Sequence, residues 1–173
     1  LNAIADFCKK EDLWFHVDGA HGGALCFSQK YKHKLSGIER AHSVIMDFHK
    51  LLLTPVVTTA VVFRDKKLSY QTFAQKASYL FNKTAEEEWF NLALRTFECT
   101  KPSLAIPVYT LFHTYGEGVF DEFVTRQCDL GTQFGKMIEK RNHFELAHQP
   151  ECNIVCFRYA DEGLMPEDQD VQN

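Results

Sequence analysis

Two short stretches of this 173-residue chain end in side chains suited to chemistry. The first is Trp14-Phe15-His16-Val17-Asp18-Gly19-Ala20-His21-Gly22-Gly23. Its apolar, aromatic and β-branched run stops at an acid and a glycine cluster, the pattern of a buried strand that ends at a site. Residues two apart on a strand share a face, which predicts His16 and Asp18 on one side and Phe15 and Val17 on the other. In a parallel α/β sheet, ligands sit beyond the carboxyl ends of the strands, where Asp18 falls. A carboxylate there is costly unless a cation meets it. The glycines permit a sharp turn and the close approach of a flat ligand.

The second stretch is Ser43-Val44-Ile45-Met46-Asp47-Phe48-His49-Lys50. Val44 to Met46 reads as a short apolar strand running out into a polar tip that ends in a lysine. Leu51, Leu52 and Leu53 behind Lys50 predict a desolvated amine, nucleophilic enough to form a Schiff base. An acid facing a ring nitrogen and a lysine forming an imine are the two protein groups that pyridoxal phosphate requires.

His16-Val17-Asp18-Gly19-Ala20 followed by Asp47-Phe48-His49-Lys50 resembles the group II pyridoxal-phosphate-dependent amino-acid decarboxylases, which include the glutamate, 2,4-diaminobutyrate, cysteine-sulfinate, aromatic amino-acid and histidine enzymes. The resemblance runs on through Lys34 to Ala41, Thr96 to Lys101 and Cys152 to Arg158, nearly the whole chain. The Asp-Phe-His-Lys form, where many members have Pro in place of Phe48, looks most like the diaminobutyrate branch. The fold this implies is the large domain of fold-type I enzymes, a mostly parallel α/β sheet covered by helices. Residues 1–141 would form part of that cofactor-binding domain, and 142–173 the start of a small C-terminal region with a polar tail. The alternation of strands and helices over residues 1–82 points to α/β independently.

The resemblance also implies roles. Asp18 would pair with the protonated pyridine nitrogen, and Lys50 would carry the cofactor and later be displaced by the substrate amine. His49 would face the cofactor phosphate or the carboxylate, and Ala20 would lie against one face of the ring; Thr54, from its place after the lysine loop alone, is a candidate donor to the phosphate. The activity expected is decarboxylation of an L-amino acid such as glutamate or 2,4-diaminobutyrate to an amine and CO₂, in a homodimer. One departure stands out: many members carry a proton-donating tyrosine before the stretch matching Glu98 to Lys101, and here no tyrosine lies between Tyr79 and Tyr109.

Two other readings compete. His16-x-Asp18-x-x-His21 has the ligand types of a zinc hydrolase, with two residues on one strand face and a third past the turn. It leaves Lys50 unexplained, so no metal is expected. A non-catalytic homologue or fragment serving as a dimerisation module is the other alternative.

Composition narrows the field. A 45% apolar content suffices for one sizeable core, and 19 basic against 23 acidic residues, net −4, implies no attraction to nucleic acid or membrane surfaces. No apolar run approaches the roughly 20 residues of a membrane span, and no signal peptide is visible. The six cysteines show no CxxC spacing and read as reduced, packed thiols of a cytoplasmic protein, with Cys152 and Cys156 on one strand face. Leu1 is not an initiator Met and Leu1 to Cys8 is already helical in period; the resemblance also implies a longer chain, so both ends are expected to be cuts.

The elements that must position these residues follow in order: a helix over 1–12, strands at 14–18 and 43–46, and between them a helix over 29–36 capped by Ser28 and closed by Gly37. Its lysines are expected to be solvated. Strand 58–63 and a helix over 66–80 come next. Thr84 with Glu86, Glu87 and Glu88 marks a further helix start. A helix from Pro102 to Tyr115 precedes one of about two dozen residues, whose inner face is Phe120, Phe123, Val124, Gln127, Cys128, Gly131, Phe134 and Ile138. Strands at 144–146 and 154–159 close the chain before a mobile acidic tail.

Overall fold

The computed structural model describes residues 1–73, 91–98 and 100–160. Helix α1 (Asn2–Lys10) leads into strand β1 (His16–Asp18), which lies parallel to β2 (Ser43–Asp47) with Val17 opposite Val44 and Asp18 opposite Ile45. β2 in turn pairs antiparallel with β3 (Thr59–Phe63), placing Asp47 directly across from Thr59. The order is β1-β2-β3. β3 runs against its neighbour because the connection 48–58 is shorter than the roughly dozen residues that a parallel crossover needs.

β1 begins later than its apolar run suggests. The amide of Phe15 donates to the His42 ring at 2.9 Å instead of to a strand, and the Trp14 indole N–H donates to the Ser43 hydroxyl at 2.9 Å. The side-chain alternation holds: Phe15 and Val17 are buried while His16 and Asp18 are exposed. Ala5, Cys8, Phe15, Val17 and Ala41 form one small core, joining α1 to the β1 side of the sheet.

The crossover from β1 to β2 is made of three 3₁₀ turns, Gly22–Phe27, Lys32–Leu35 and Ile38–Arg40, not of a helix over 29–36. Ser28 breaks the chain there with extended backbone and is fully buried. Its hydroxyl bonds that of Thr125 at 2.6 Å and accepts the Tyr31 amide, so it caps a tighter turn than expected. Gly37, at φ +97°, closes that turn. Lys30 and the Tyr31 hydroxyl both bond the Asp129 carboxylate at 2.5 Å, so Lys30 is paired to a helix.

α2 (Lys66–Phe73) follows β3, and α3 (Ala105–Tyr115) opens with Pro107 in its first turn, where the missing N–H costs nothing. α4 (Gly118–Ile138) buries Phe120, Val124, Cys128, Gly131, Gly135 and Ile138 on one face, the 3.6-residue stripe read from the sequence, although Phe134 is exposed. Phe120 sits 4.5 Å from Phe112 of α3, centroid to centroid. With Ala24, Leu25, Leu51 and Leu52 these residues make the larger core, so α4 is the floor beneath the crossover and the lysine loop.

β4 (Phe144–Leu146) and β5 (Phe157–Tyr159) pair antiparallel as a separate ribbon. The chain between them crosses α4 so closely that a Cβ on Gly131 would lie 2.5 Å from the Cys152 carbonyl. Cys152 and Cys156 precede the strand and share no strand face: Cys152 packs against the larger core and Cys156 is exposed. The helix start at Thr84 to Glu88, the end of the helix over 66–80 and the acidic tail lie outside the described residues.

Candidate active site

The parallel pairing of β1 with β2 brings both carboxyl ends to one edge of the sheet. Beyond them run the loop that starts at Gly19 and the loop that holds Lys50. The two are clasped: the Asp47 amide donates to the Ala20 carbonyl at 3.1 Å. Gly19 makes this approach possible, since a Cβ there would stand 2.8 Å from the Ile45 carbonyl oxygen and 3.2 Å from the Gly23 Cα.

Asp18 is exposed at the end of β1, with one carboxylate oxygen accepting the Ala20 amide at 3.1 Å. It therefore caps the next turn, while its second oxygen has no protein partner among the described residues. Ala20 is half-buried beside it. His49 sends its Nδ1–H to the Thr58 carbonyl at 3.0 Å, which fixes the tautomer and the ring and leaves Nε2 3.9 Å from the Asp47 carboxylate.

The surroundings of Lys50 differ from the apolar ones expected. Leu51 and Leu52 are buried, at 5% and 0% exposure, but they turn into the core over α4. The Lys50 side chain itself is 39% exposed, and its Nζ lies 2.8 Å from Asp47 Oδ2. Asp47, in contrast, is only 9% exposed. Its other oxygen, Oδ1, accepts the Thr59 hydroxyl at 2.7 Å. The hydrogen bond from Lys50, and then that from Thr59, hold this carboxyl below the ordinary carboxylate range. Asp47 and Thr59 are the site residues that strand and motif reading passed over. The signal for them was the strand register, which the sequence does not display.

Thr54 returns to the loop through its amide, which donates to the Phe48 carbonyl at 3.2 Å. Its hydroxyl is buried and has no hydrogen-bond partner among the described residues. A buried hydroxyl without a partner is costly unless a ligand meets it. An amine, a free carboxylate oxygen, an imidazole and an unmatched hydroxyl at one sheet edge form the donor set that a pyridoxal phosphate group needs, so the residues fit that cofactor.

The zinc alternative loses its geometry. His16 bonds the Ser43 hydroxyl at 2.7 Å through Nδ1, and His21 Nε2 bonds Asn153 Oδ1 at 2.7 Å, so the three side chains do not converge. Among the described residues, no group of three His, Cys, Asp or Glu side chains is placed to hold a metal ion. A cleft of about 510 Å³ between β3, α2 and residues 92–101 contains none of Asp18, His49 and Lys50.

An acid and an amine at neighbouring strand ends of an α/β sheet are compatible with the large domain of a fold-type I pyridoxal-phosphate enzyme. The chain belongs to the family of the pyridoxal-dependent decarboxylase conserved domain, which matches residues 1–160. It is similar to the cysteine sulfinic acid decarboxylase of Mus musculus, 32% identical over 169 residues that cover 95% of this chain and 34% of that protein. The L-aspartate decarboxylase dtxS4 of Metarhizium robertsii is 30% identical over 167 residues, 95% of this chain and 33% of that one. The structure of mouse CSAD superposes with a TM-score of 0.82 at 29% identity, covering 98% of this chain and 35% of that chain. The glutamate decarboxylase domain of a Vibrio parahaemolyticus diaminobutyrate-pyruvate transaminase and L-2,4-diaminobutyrate decarboxylase gives a TM-score of 0.74 at 29% identity, over 98% and 32%. The chain thus spans about a third of the length of the relatives it matches.

Proposed function

We propose that this chain is the lysine-bearing part of a pyridoxal-phosphate-dependent carboxy-lyase acting on an L-amino acid. The observation that carries the reading is the common edge of β1 and β2, where Asp18 and Lys50 emerge from adjacent parallel strands clasped through Ala20 and Asp47. Residues 1–141 then belong to the cofactor-binding domain, and 142–173 open the small C-terminal region. The relatives named for L-aspartate and cysteine sulfinic acid favour an acidic amino acid over 2,4-diaminobutyrate.

In this reading Lys50 would hold the cofactor through its amine, and Asp18 would present its free oxygen to the ring nitrogen and keep a proton there. Ala20 offers a small face against which a flat ring can rest, His49 Nε2 faces the ligand from a ring locked by Thr58, and the Thr54 hydroxyl donates to phosphate. When bound, pyridoxal phosphate would supply the electron sink that decarboxylation requires. The protein's share would be orientation and fixed charge: Asp18 would stabilise charge at the ring nitrogen, and the backbone bond from Asp47 to Ala20 ties together the loops that carry acid and amine. A homodimer and a cytoplasmic location belong to the same proposal, the latter supported by free thiols at Cys8, Cys26, Cys128, Cys152 and Cys156.

The test is to incubate the full chain with pyridoxal phosphate, reduce with borohydride and map the modified residue by mass spectrometry. Cofactor fixed on Lys50 is the expected result. Cofactor spread over surface lysines, or absent, overturns the reading and leaves the non-catalytic module.

A further inference from the structure

We infer that Asp47 is the resting partner of the Lys50 amine: while Lys50 is not engaged with a carbonyl group, the Asp47 carboxylate holds its Nζ in one fixed position through an ion pair, and Thr59 holds that carboxylate. This rests on the reading of Lys50 as the cofactor lysine and makes Asp47 and Thr59 positioning residues for it.

The geometry leaves the carboxylate little freedom. Asp47 is the last residue of β2, locked in register opposite Thr59, with its amide on the Ala20 carbonyl. One oxygen takes the Thr59 hydroxyl at 2.7 Å and the other faces Lys50 Nζ at 2.8 Å, so both are committed. The Lys50 amide also donates to the Asp47 carbonyl at 3.3 Å, closing a turn that aims the lysine back at the carboxylate. His49, the other titratable group at this carboxylate, is farther off at 3.9 Å, and its Nδ1–H is committed to Thr58. From β3 the group that faces it is the neutral Thr59 hydroxyl.

The chemical consequence is directional. An amine tethered 2.8 Å from a fixed carboxylate must leave that contact before it can attack a carbonyl. Asp47 therefore keeps the unengaged amine docked at the end of β2, the position to which it returns whenever it is free. A flexible four-carbon stem, 39% exposed, would otherwise wander into solvent. The ordinary structural role, stapling the turn after β2, would be served equally by a neutral hydrogen-bonding residue, and that difference is measurable.

The experiment labels the cofactor-free full chain with acetic anhydride from neutral to alkaline pH and follows each lysine by mass spectrometry. Asp47→Asn is expected to raise the Lys50 labelling rate by about three- to tenfold, because the ion pair that tethers a part-exposed amine is lost. Asp47→Glu should restore most of the protection, and Lys9 should be unaffected throughout. Lys30, paired with Asp129, reports on folding. Should Asp47→Asn expose Lys30 as well, Thr59→Val decides the matter: faster Lys50 labelling with Lys30 still protected supports the inference, and unchanged Lys50 labelling overturns it. An unchanged Lys50 profile in folded Asp47→Asn also overturns it. Borohydride trapping of the wild type with pyridoxal phosphate separates the two claims. Trapping on Lys50 with an unchanged labelling profile sinks this inference alone, and no trapping on Lys50 sinks both.

Discussion

Asp47 and Thr59 stand directly opposite one another in the antiparallel ladder of β2 and β3, and the Thr59 hydroxyl donates to the Asp47 carboxylate at 2.7 Å. The pair crosses strands just where the sheet edge turns into the lysine loop. Its register therefore decides where the Lys50 counter-charge lies. A one-residue slip of β3 would send the Thr59 side chain to the other face and leave the carboxylate with Lys50 alone.

This arrangement predicts a pH signature. The folded carboxyl of Asp47 is held below its ordinary value by Lys50 and then Thr59, so its ionised form stabilises the fold above the unfolded carboxylate pKa, near pH 3.9. That contribution is lost as pH falls through the depressed folded value. Urea unfolding of wild type and Asp47→Asn across a pH series should show the wild type more stable at neutral pH, with the difference shrinking below about pH 4. A gap that widens on acidification would contradict the assignment.

The glycines after Asp18 are not equivalent. A Cβ on Gly19 meets backbone at 2.8 Å and 3.2 Å, whereas a Cβ on Gly22 meets nothing within 4 Å. Gly19→Ala is expected to cost about 1–3 kcal/mol, because the Ile45 carbonyl and the Gly23 backbone cannot yield cheaply. Gly22→Ala should be close to neutral, within about 0.5 kcal/mol. Denaturant melts of the two single variants measure the contrast, and equal losses would place the tight contact elsewhere.

Asp18→Asn keeps the turn-capping oxygen that receives the Ala20 amide and removes only the charge. Under the proposed function, cofactor trapping on Lys50 should persist while decarboxylation falls by at least about 10²-fold, the scale of losing one fixed electrostatic contact to developing charge. CO₂ release per trapped cofactor is the quantity to follow. Retention of full turnover would remove Asp18 from the ring nitrogen.

Much of this architecture was legible because burial imposes a period. The stripe on α4 from Phe120 through Val124 and Cys128 to Ile138 lies on the core as read, and Phe15 and Val17 face inward while His16 and Asp18 face out. The crossover was not legible: Ser28 carries a helix-start signal, yet its burial against Thr125 spends the hydroxyl on a tertiary contact and leaves two 3₁₀ turns. Nor did the three leucines after Lys50 reveal their direction. They suggest an apolar sleeve around the amine, whereas Leu51 and Leu52 point down into the α4 core and Leu53 is 41% exposed. The cross-strand partner of Asp47 depended on register, set by a loop too short to cross over and by the antiparallel return it forces.

The bond from the Asp47 amide to the Ala20 carbonyl couples two segments far apart in sequence. Through it, the corner after β1 bears on the backbone that leads into the lysine loop, and lengthening either corner would break the contact that ties the two together.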